Sequence, residues 1–207
     1  PFEQTLVASS LGSEVDAVVV TGRPTLSRPI QALLARPDVR VVVVDPHAPW
    51  VDISGNASVV VADLEPAREP IRAAQAEWAA RVRDAAREAG GRIESLLASG
   101  SGRTMLDLAR AVAASTSGPL VLGASNPVRA FDLAVPALGG RVVHSNRGQA
   151  GIDGTIATAV GICLGSGYAG EVSAPAGERV TAVIGDLTAC HDSSSLALAA
   201  SAGAHLD

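Results

Sequence analysis

A chain of 207 residues, 47% hydrophobic and 18% charged, can build one large core or two modest ones and is too apolar to stay disordered. Its net charge of −5 and the scatter of its sixteen basic residues exclude a massed basic surface of the kind that grips nucleic acid. No apolar run reaches the ~18 residues of a membrane span and no signal-peptide pattern opens the chain, so a cytoplasmic protein is expected.

All sixteen basic residues are Arg, which fits a coding bias, although Arg is also the better residue for gripping carboxylates and phosphates at two points. The two cysteines, Cys163 and Cys190, form no Cys-x-x-Cys pair and lie in apolar-periodic stretches, which predicts core packing for both. The chain opens on Pro1-Phe2 without an initiator Met, so a piece of something longer is expected.

Val15 to Val20 is a β-branched run ending near Gly22, suited to a buried strand and a turn. Arg28 to Ala35 has helical spacing, with Ile30, Leu33 and Leu34 on one side and Pro37-Asp38 as the stop. Arg40 to Val44 and Ser58 to Ala62 read as two further strands, and the alternation predicts parallel, Rossmann-like α/β layers. From Glu65 to about Leu97 the Ala-, Arg- and Glu-rich sequence predicts one long, mostly solvated helix, or two. Ser99-Gly100-Ser101-Gly102 then reads as a linker between a first unit, 1–98, and a second, 99–207.

The second unit opens with a predicted helix from Thr104 to Ala114, whose apolar side holds Leu106, Ala109, Val112 and Ala113. A strand at Pro119–Leu122 leads into a turn, Gly123-Ala124-Ser125-Asn126-Pro127, and Val142-Val143 forms another short strand. Thr155 to Leu164 is an apolar helix of small residues, Gly165 to Gly177 a loop, and Arg179 to Ile184 a strand that delivers Gly185-Asp186. Asp192 or Ser193 can cap a last helix through Ala200, and His205-Leu206-Asp207 reads as the approach to a strand that never forms.

Several candidate sites dissolve on inspection. Gly165-Ser166-Gly167-Tyr168-Ala169-Gly170 matches G-x-G-x-x-G, but a dinucleotide site needs a strand before it and a helix after it, and here a helix precedes it. His191, Asp192 and Ser193 are consecutive and cannot converge on one atom, so helix capping explains them better than a hydrolytic triad. His47 and His144 have no ligand-spaced partners and read as structural.

Others stand. Ser125 and Arg129 follow a strand at its carboxyl end, where open α/β sheets place ligands, although an ordinary turn with a surface Arg has the same pattern. Arg147, beside Gly148 and Gly151, suits a carboxylate or phosphate, with pairing to Asp153 as the structural alternative. Asp186 after Ile184-Gly185 puts a carboxylate at a sheet edge, beside backbone that a phosphate can approach, where it can hold Mg²⁺ against a diphosphate.

Together Gly123-Ala124-Ser125-Asn126-Pro127-Val128-Arg129, Ser145 to Gly154 (Ser-Asn-Arg-Gly-Gln-Ala-Gly-Ile-Asp-Gly) and Ile184-Gly185-Asp186-Leu187-Thr188 with His191-Asp192-Ser193-Ser194 resemble the thiamine-diphosphate-dependent enzymes. The closest likeness is to the carboligases of menaquinone biosynthesis, because Gly-Asp-Leu-Thr, Asn-Arg-Gly and Gly-Ile-Asp-Gly are particular to them. Gly22-Arg23-Pro24-Thr25-Leu26 and Ser54-Gly55-Asn56 resemble their central domain.

The resemblance implies part of a central domain at 1–98, followed by the first part of a diphosphate-binding domain at 99–207. It implies thiamine diphosphate and Mg²⁺ (or Mn²⁺) as cofactors, 2-oxoglutarate and isochorismate as substrates, and a homodimeric or homotetrameric parent. Asp186 would ligate the metal, with Gly151, Ile152, Gly185 and Leu187 lining the cofactor. Ser125, Arg129, Arg147 and, from the loop after the first strand, Arg28 would hold the substrates' carboxylates. The alternatives are another 2-oxoacid decarboxylase of the acetolactate-synthase kind, or a non-catalytic module on the same fold.

The Glu that activates the cofactor in that family, and the Asn pair that completes its magnesium motif, have no counterpart among these residues. The 207-residue chain alone is therefore expected to be inactive. An assay with thiamine diphosphate, Mg²⁺, 2-oxoglutarate and isochorismate should show no carboligation above buffer, and measurable product would contradict this.

Overall fold

A computed structural model describes residues 7, 9–47, 50, 52–64, 76–100, 103–147, 151–166 and 179–207. The chain divides into two compact units, 2–99 and 100–207.

In the first unit, α1 (Ser10–Ser13) precedes β1 (Ala17–Val20), α2 (Arg28–Leu34), β2 (Arg40–Val44), β3 (Ala57–Val61) and α3 (Ala76–Ser99). The strands pair in parallel in the order β1-β2-β3. The valine-rich runs form these strands because β-branched side chains fit a pleated surface and resist helix. Val41 and Val43 of β2 point to one face and bury against Leu33 and Leu34 of α2.

Local hydrogen bonds fix the ends of these elements. Ser27 caps α2 by accepting from the Ile30 amide at 3.4 Å, and Pro29 lies in its first turn. The Asn56 side-chain amide donates to the carbonyls of Leu34 and Arg36 at 3.1 and 2.8 Å, closing the other end. The Asp52 carboxylate accepts from the amides of Ser54, Gly55 and Ala57 at 3.3, 3.0 and 2.8 Å, which shapes the turn into β3 around Gly55 at φ +68°. Arg81 of α3 forks onto both oxygens of Glu14 at 2.8 and 2.6 Å.

In the second unit the order is α4 (Met105–Ser115), β4 (Leu120–Leu122), α5 (Asn126–Ala134), β5 (Val143–His144), α6 (Thr155–Ser166), β6 (Thr181–Val183), α7 (Asp186–His191) and α8 (Ser194–Ala202). The sheet is parallel, in the order β5-β4-β6. A capping box opens α4: Asp107 accepts from the Thr104 amide at 2.8 Å while the Thr104 hydroxyl accepts from the Asp107 amide at 3.3 Å. The two-residue pairing of each side chain with its neighbour's backbone fixes where the helix starts.

All three residues of β4 are buried. Its alternating side chains supply both faces of the core. Leu120 and Leu122 pack with Ala109 of α4 and Phe131 of α5. Val121 points the other way, onto Ala159 and Cys163 of α6. The small residues expected to let that helix approach the sheet do so. At the amino ends of the strands, the Arg141 guanidinium donates to the carbonyls of Gly118 and Thr116 at 2.7 and 3.0 Å and to the Thr116 hydroxyl at 3.1 Å.

The structure departs from the sequence reading in several places. Val15 and Asp16 precede the first strand, and the long helix is described only from Ala76, since 65–75 lie outside the described residues. Ser101 and Gly102 of the expected linker and 167–177 of the expected loop also lie outside them, while Gly165 and Ser166 end α6. Asn126 and Pro127 do not finish a turn but open α5, with Pro127 in the first turn, where its missing N–H costs no helical bond. Asp186 likewise opens a helix.

The last residues do pair. The Val180 amide donates to His205 O at 3.1 Å, the Asp207 amide to Val180 O at 3.0 Å and the Ala182 amide to Asp207 O at 2.9 Å, in a parallel bridge beside β6. Cys163 is buried as expected, but Cys190 is exposed on α7, because the apolar spacing around it belongs to two short helices and not one.

Leu120→Ala removes a fully buried side chain at the centre of this sheet. Denaturant unfolding should show a loss of about 3 kcal/mol, and a loss below ~1 kcal/mol would contradict a well-packed β4.

Candidate functional site

Parallel strands end on the same side, so the segments after β4, β5 and β6 share one edge of the second sheet. They are Gly123 to Ser125, Ser145 to Arg147, and Ile184 to Asp186. The Gly123–Arg129 and Ile184–Thr188 motifs begin on two of these segments, and the described start of the Ser145–Gly154 motif forms the third.

Gly123 sits where two of them touch. Its amide donates to Val183 O at 2.9 Å, and a Cβ there would stand 3.5 Å from the Ile184 Cα. Ser125 is the N-cap position of α5 and is exposed. One helical turn later Arg129, also exposed, donates from Nη1 to Ser125 O at 2.7 Å. The pair is therefore brought together by i, i+4 helix geometry and not by a turn.

After β5, Asn146 is tied to α6, its side-chain amide donating to the Thr158 hydroxyl at 3.0 Å, and that hydroxyl donates to Gly154 O at 2.7 Å. This leaves Arg147 exposed at the strand end. Ser145 Oγ is buried there with no hydrogen-bond partner among the described residues. Gly148, Gln149 and Ala150 lie outside the described residues. Gly151, half-buried Ile152, Asp153 and Gly154 form the turn into α6, with Gly154 at φ +68°. An L-residue side chain would be strained at that φ.

After β6, Gly185 is the N-cap position of α7, and Asp186 is its exposed first residue. Leu187 is 67% exposed. A Cβ at Gly185 or Gly151 would meet nothing within 4 Å, so the backbone at both places is open to close approach. Arg28 belongs to the first unit, where it is the first helical residue of α2 and not a loop residue as expected.

Asp192 has a function that the sequence reading missed. It was expected to cap the final helix, or Ser193 was. Ser193 makes no side-chain cap bond. The Asp192 carboxylate instead accepts from the amides of Ile156 and Ala157 at 2.5 and 3.1 Å, capping α6, which starts 37 residues earlier in the chain. Its other oxygen accepts from the Ser195 hydroxyl at 2.6 Å. Beside it, His191 Nδ1 stands 3.6 Å from Asp153 Oδ1. Burial opposes the charged form of Asp192, but the Ser195 hydroxyl and the amides of Ala157, Ile156 and Gly154 outweigh it and hold the carboxyl below the ordinary value of 3.8. No sequence spacing signals a cap supplied across such a separation.

An exposed carboxylate, exposed arginines and open glycine backbone on one sheet edge suit an anionic ligand with an accompanying cation. Among the described residues no three His, Cys, Asp or Glu side chains cluster as a metal site. No helix among them is long and apolar enough to cross a membrane.

No family model matches the chain. Curated relatives do. The chain is homologous to 2-succinyl-5-enolpyruvyl-6-hydroxy-3-cyclohexene-1-carboxylate synthases: it is 39% identical to that of Nocardioides sp. (strain ATCC BAA-499 / JS614) over 203 residues, covering 93% of this chain and 36% of that protein. It is 42% identical to the Mycobacterium leprae (strain Br4923) synthase over 185 residues, 86% of this chain and 32% of the relative. With the Mycolicibacterium vanbaalenii synthase the identity is 43% over 183 residues, 87% and 31% of the two chains. The chain thus spans about a third of the length of the curated relatives it matches.

The depressed pKa of Asp192 has a definite sign in stability. Its contribution is complete above the unfolded value near 3.8 and is lost as pH falls through the lower folded value. Asp192→Asn should therefore melt below the wild type at about pH 6, with the gap closing as pH falls below the unfolded value of 3.8. A gap that stays constant across this range would contradict the ionised cap.

Proposed function

We propose that this chain, homologous over most of its length to 2-succinyl-5-enolpyruvyl-6-hydroxy-3-cyclohexene-1-carboxylate synthases, forms two domains of such an enzyme. Residues 1–98 are part of its central domain and 99–207 the first part of its diphosphate-binding domain. The whole enzyme decarboxylates 2-oxoglutarate and adds the resulting four-carbon unit to isochorismate. The observation that carries this reading is the single sheet edge shared by Asp186, the Ser125–Arg129 pair and Arg147.

The residues present fit a diphosphate with its cation. Asp186 offers a hard carboxylate oxygen, suited to Mg²⁺ or Mn²⁺, and would hold the cation together with phosphate, backbone or water oxygens. Gly185 and Gly151 leave room for the ligand against the backbone, and the backbone groups of Gly185 and Leu187 would line the phosphates. Ile152 and the exposed Leu187 supply apolar surface beside them.

Thiamine diphosphate supplies the carbanion-stabilising centre when bound. The chain's own contribution is orientation and charge. Arg129 and Arg147 grip substrate carboxylates, since a guanidinium can donate two parallel bonds to each. The Arg129 guanidinium, held one helical turn from Ser125, meets the substrate with little orientational freedom left to lose. Ser125 adds a hydroxyl donor. Both substrates are anionic, so cationic anchors also raise their local concentration.

The test is a calorimetric titration of thiamine diphosphate with Mg²⁺ into the complete enzyme, wild type against Asp186→Ala. Loss of a direct ligand should weaken metal-dependent binding by more than about a hundredfold, exceeding what a supporting residue costs. Unchanged binding would remove Asp186 from the metal site. No binding by the wild type would favour a non-catalytic module.

A further inference from the structure

Among the described residues, Asp192 is the one buried carboxylate, at 6% exposure, and no role in the reading above uses it. Its place in the chain is unusual. Its own amide donates to Thr188 O at 3.1 Å and closes α7, the helix that Asp186 opens. Its carboxylate closes the start of α6, the helix that follows the 151–154 turn. One residue thus ends the cation-bearing element and begins the element behind the glycine turn.

The bonds leave little freedom. Oδ2 takes both α6 amides, and Oδ1 takes the Ser195 hydroxyl, so the carboxylate can neither rotate nor slide. An apolar contact at this position would hold the two helices near each other but would tolerate small shifts. Directional bonds to a buried charge do not, because each displaced bond leaves an unpaired group in a dry site. The Asp153–His191 pair spans the same two segments from the exposed side. Behind them Ile156 and Val160 of α6 pack on Ala199 of α8.

We propose that Asp192 is a positioning residue that fixes the 151–154 turn against the helix opened by Asp186, so that the two halves of the diphosphate site are held in one geometry. For what that geometry serves, the inference rests on the proposed function. The coupling itself does not.

Two arms of one experiment separate these. In the 207-residue chain, amide hydrogen exchange is followed at Thr158, which donates to Gly154 O at 2.9 Å, and at Ala189, which donates to Gly185 O at 3.0 Å. Asp192→Ala should accelerate exchange about tenfold or more at both sites. Asp192→Asn, which keeps one acceptor oxygen, should give a smaller acceleration at both. Acceleration confined to Thr158, with Ala189 unchanged, would overturn the inference. If Asp192→Ala does not fold, Asp192→Asn and Ser195→Ala carry the arm, and wild-type exchange at both sites in both variants would overturn it equally.

In the complete enzyme, Asp192→Asn should weaken Mg²⁺–thiamine diphosphate binding by about tenfold or more, as supporting residues of a metal site do. At saturating cofactor its KM for 2-oxoglutarate should be unchanged. Wild-type affinity in that variant would overturn the positioning role. A wild-type enzyme that binds no thiamine diphosphate would sink the functional reading, and the exchange arm would still decide the coupling.

Discussion

Parallel pairing on both sides of β4 is the constraint on which the second unit depends. Because all three strands run the same way, their carboxyl ends meet on one edge, and three stretches far apart in sequence become neighbours. β4 itself is too short to be stable alone. Its burial on both faces, by α4 and α5 on one side and α6 on the other, supplies the apolar contacts that hold it. Arg141 secures the opposite edge, joining the turn before β4 to the turn before β5, so a two-residue strand keeps its register. Functional groups can therefore be exposed at one end of the sheet, because packing and hydrogen bonding are completed at the other.

The same division of labour runs through the site. The residues proposed to meet a ligand, Ser125, Arg129, Arg147, Asp186 and Leu187, are exposed. The residues that fix them are tied down: Gly123 by the hydrogen bond from its amide to Val183 O, Asn146 by Thr158, and the start of α6 by Asp192. Preorganisation of this kind reduces the orientational cost of binding, which matters most for a site that must hold anionic groups at defined positions.

Much of this was legible in the sequence, for physical reasons that differ by element. The valine runs of β1 and β2 and the apolar spacing of α2 and α4 are local signals, and they appear where expected to within a residue or two. The Gly-Asp motif and the start of Asn-Arg-Gly follow strands that end where the sequence places them, because glycine and strand ends announce themselves locally. α5 was missed although Pro127 in a first turn is a helix-start signal, since Gly123 and Asn126 around it read equally well as turn residues. α7 is only six residues long, too short for a periodicity to show. The pairing of His205–Asp207 with Val180 and the capping of α6 by Asp192 were invisible, because each depends on residues brought together only by the folded sheet. Long-range bonds leave no local pattern.

The claim at the centre of this account is that Asp186 holds a divalent cation at the carboxyl edge of the β5-β4-β6 sheet. Its most direct test is a crystal structure of the complete enzyme soaked with thiamine diphosphate and Mn²⁺, with the metal located by anomalous scattering. The account predicts an anomalous peak at roughly 2 Å from an Asp186 carboxylate oxygen, as coordination requires, with diphosphate oxygens on its far side. A peak elsewhere, with Asp186 still facing solvent, would contradict it.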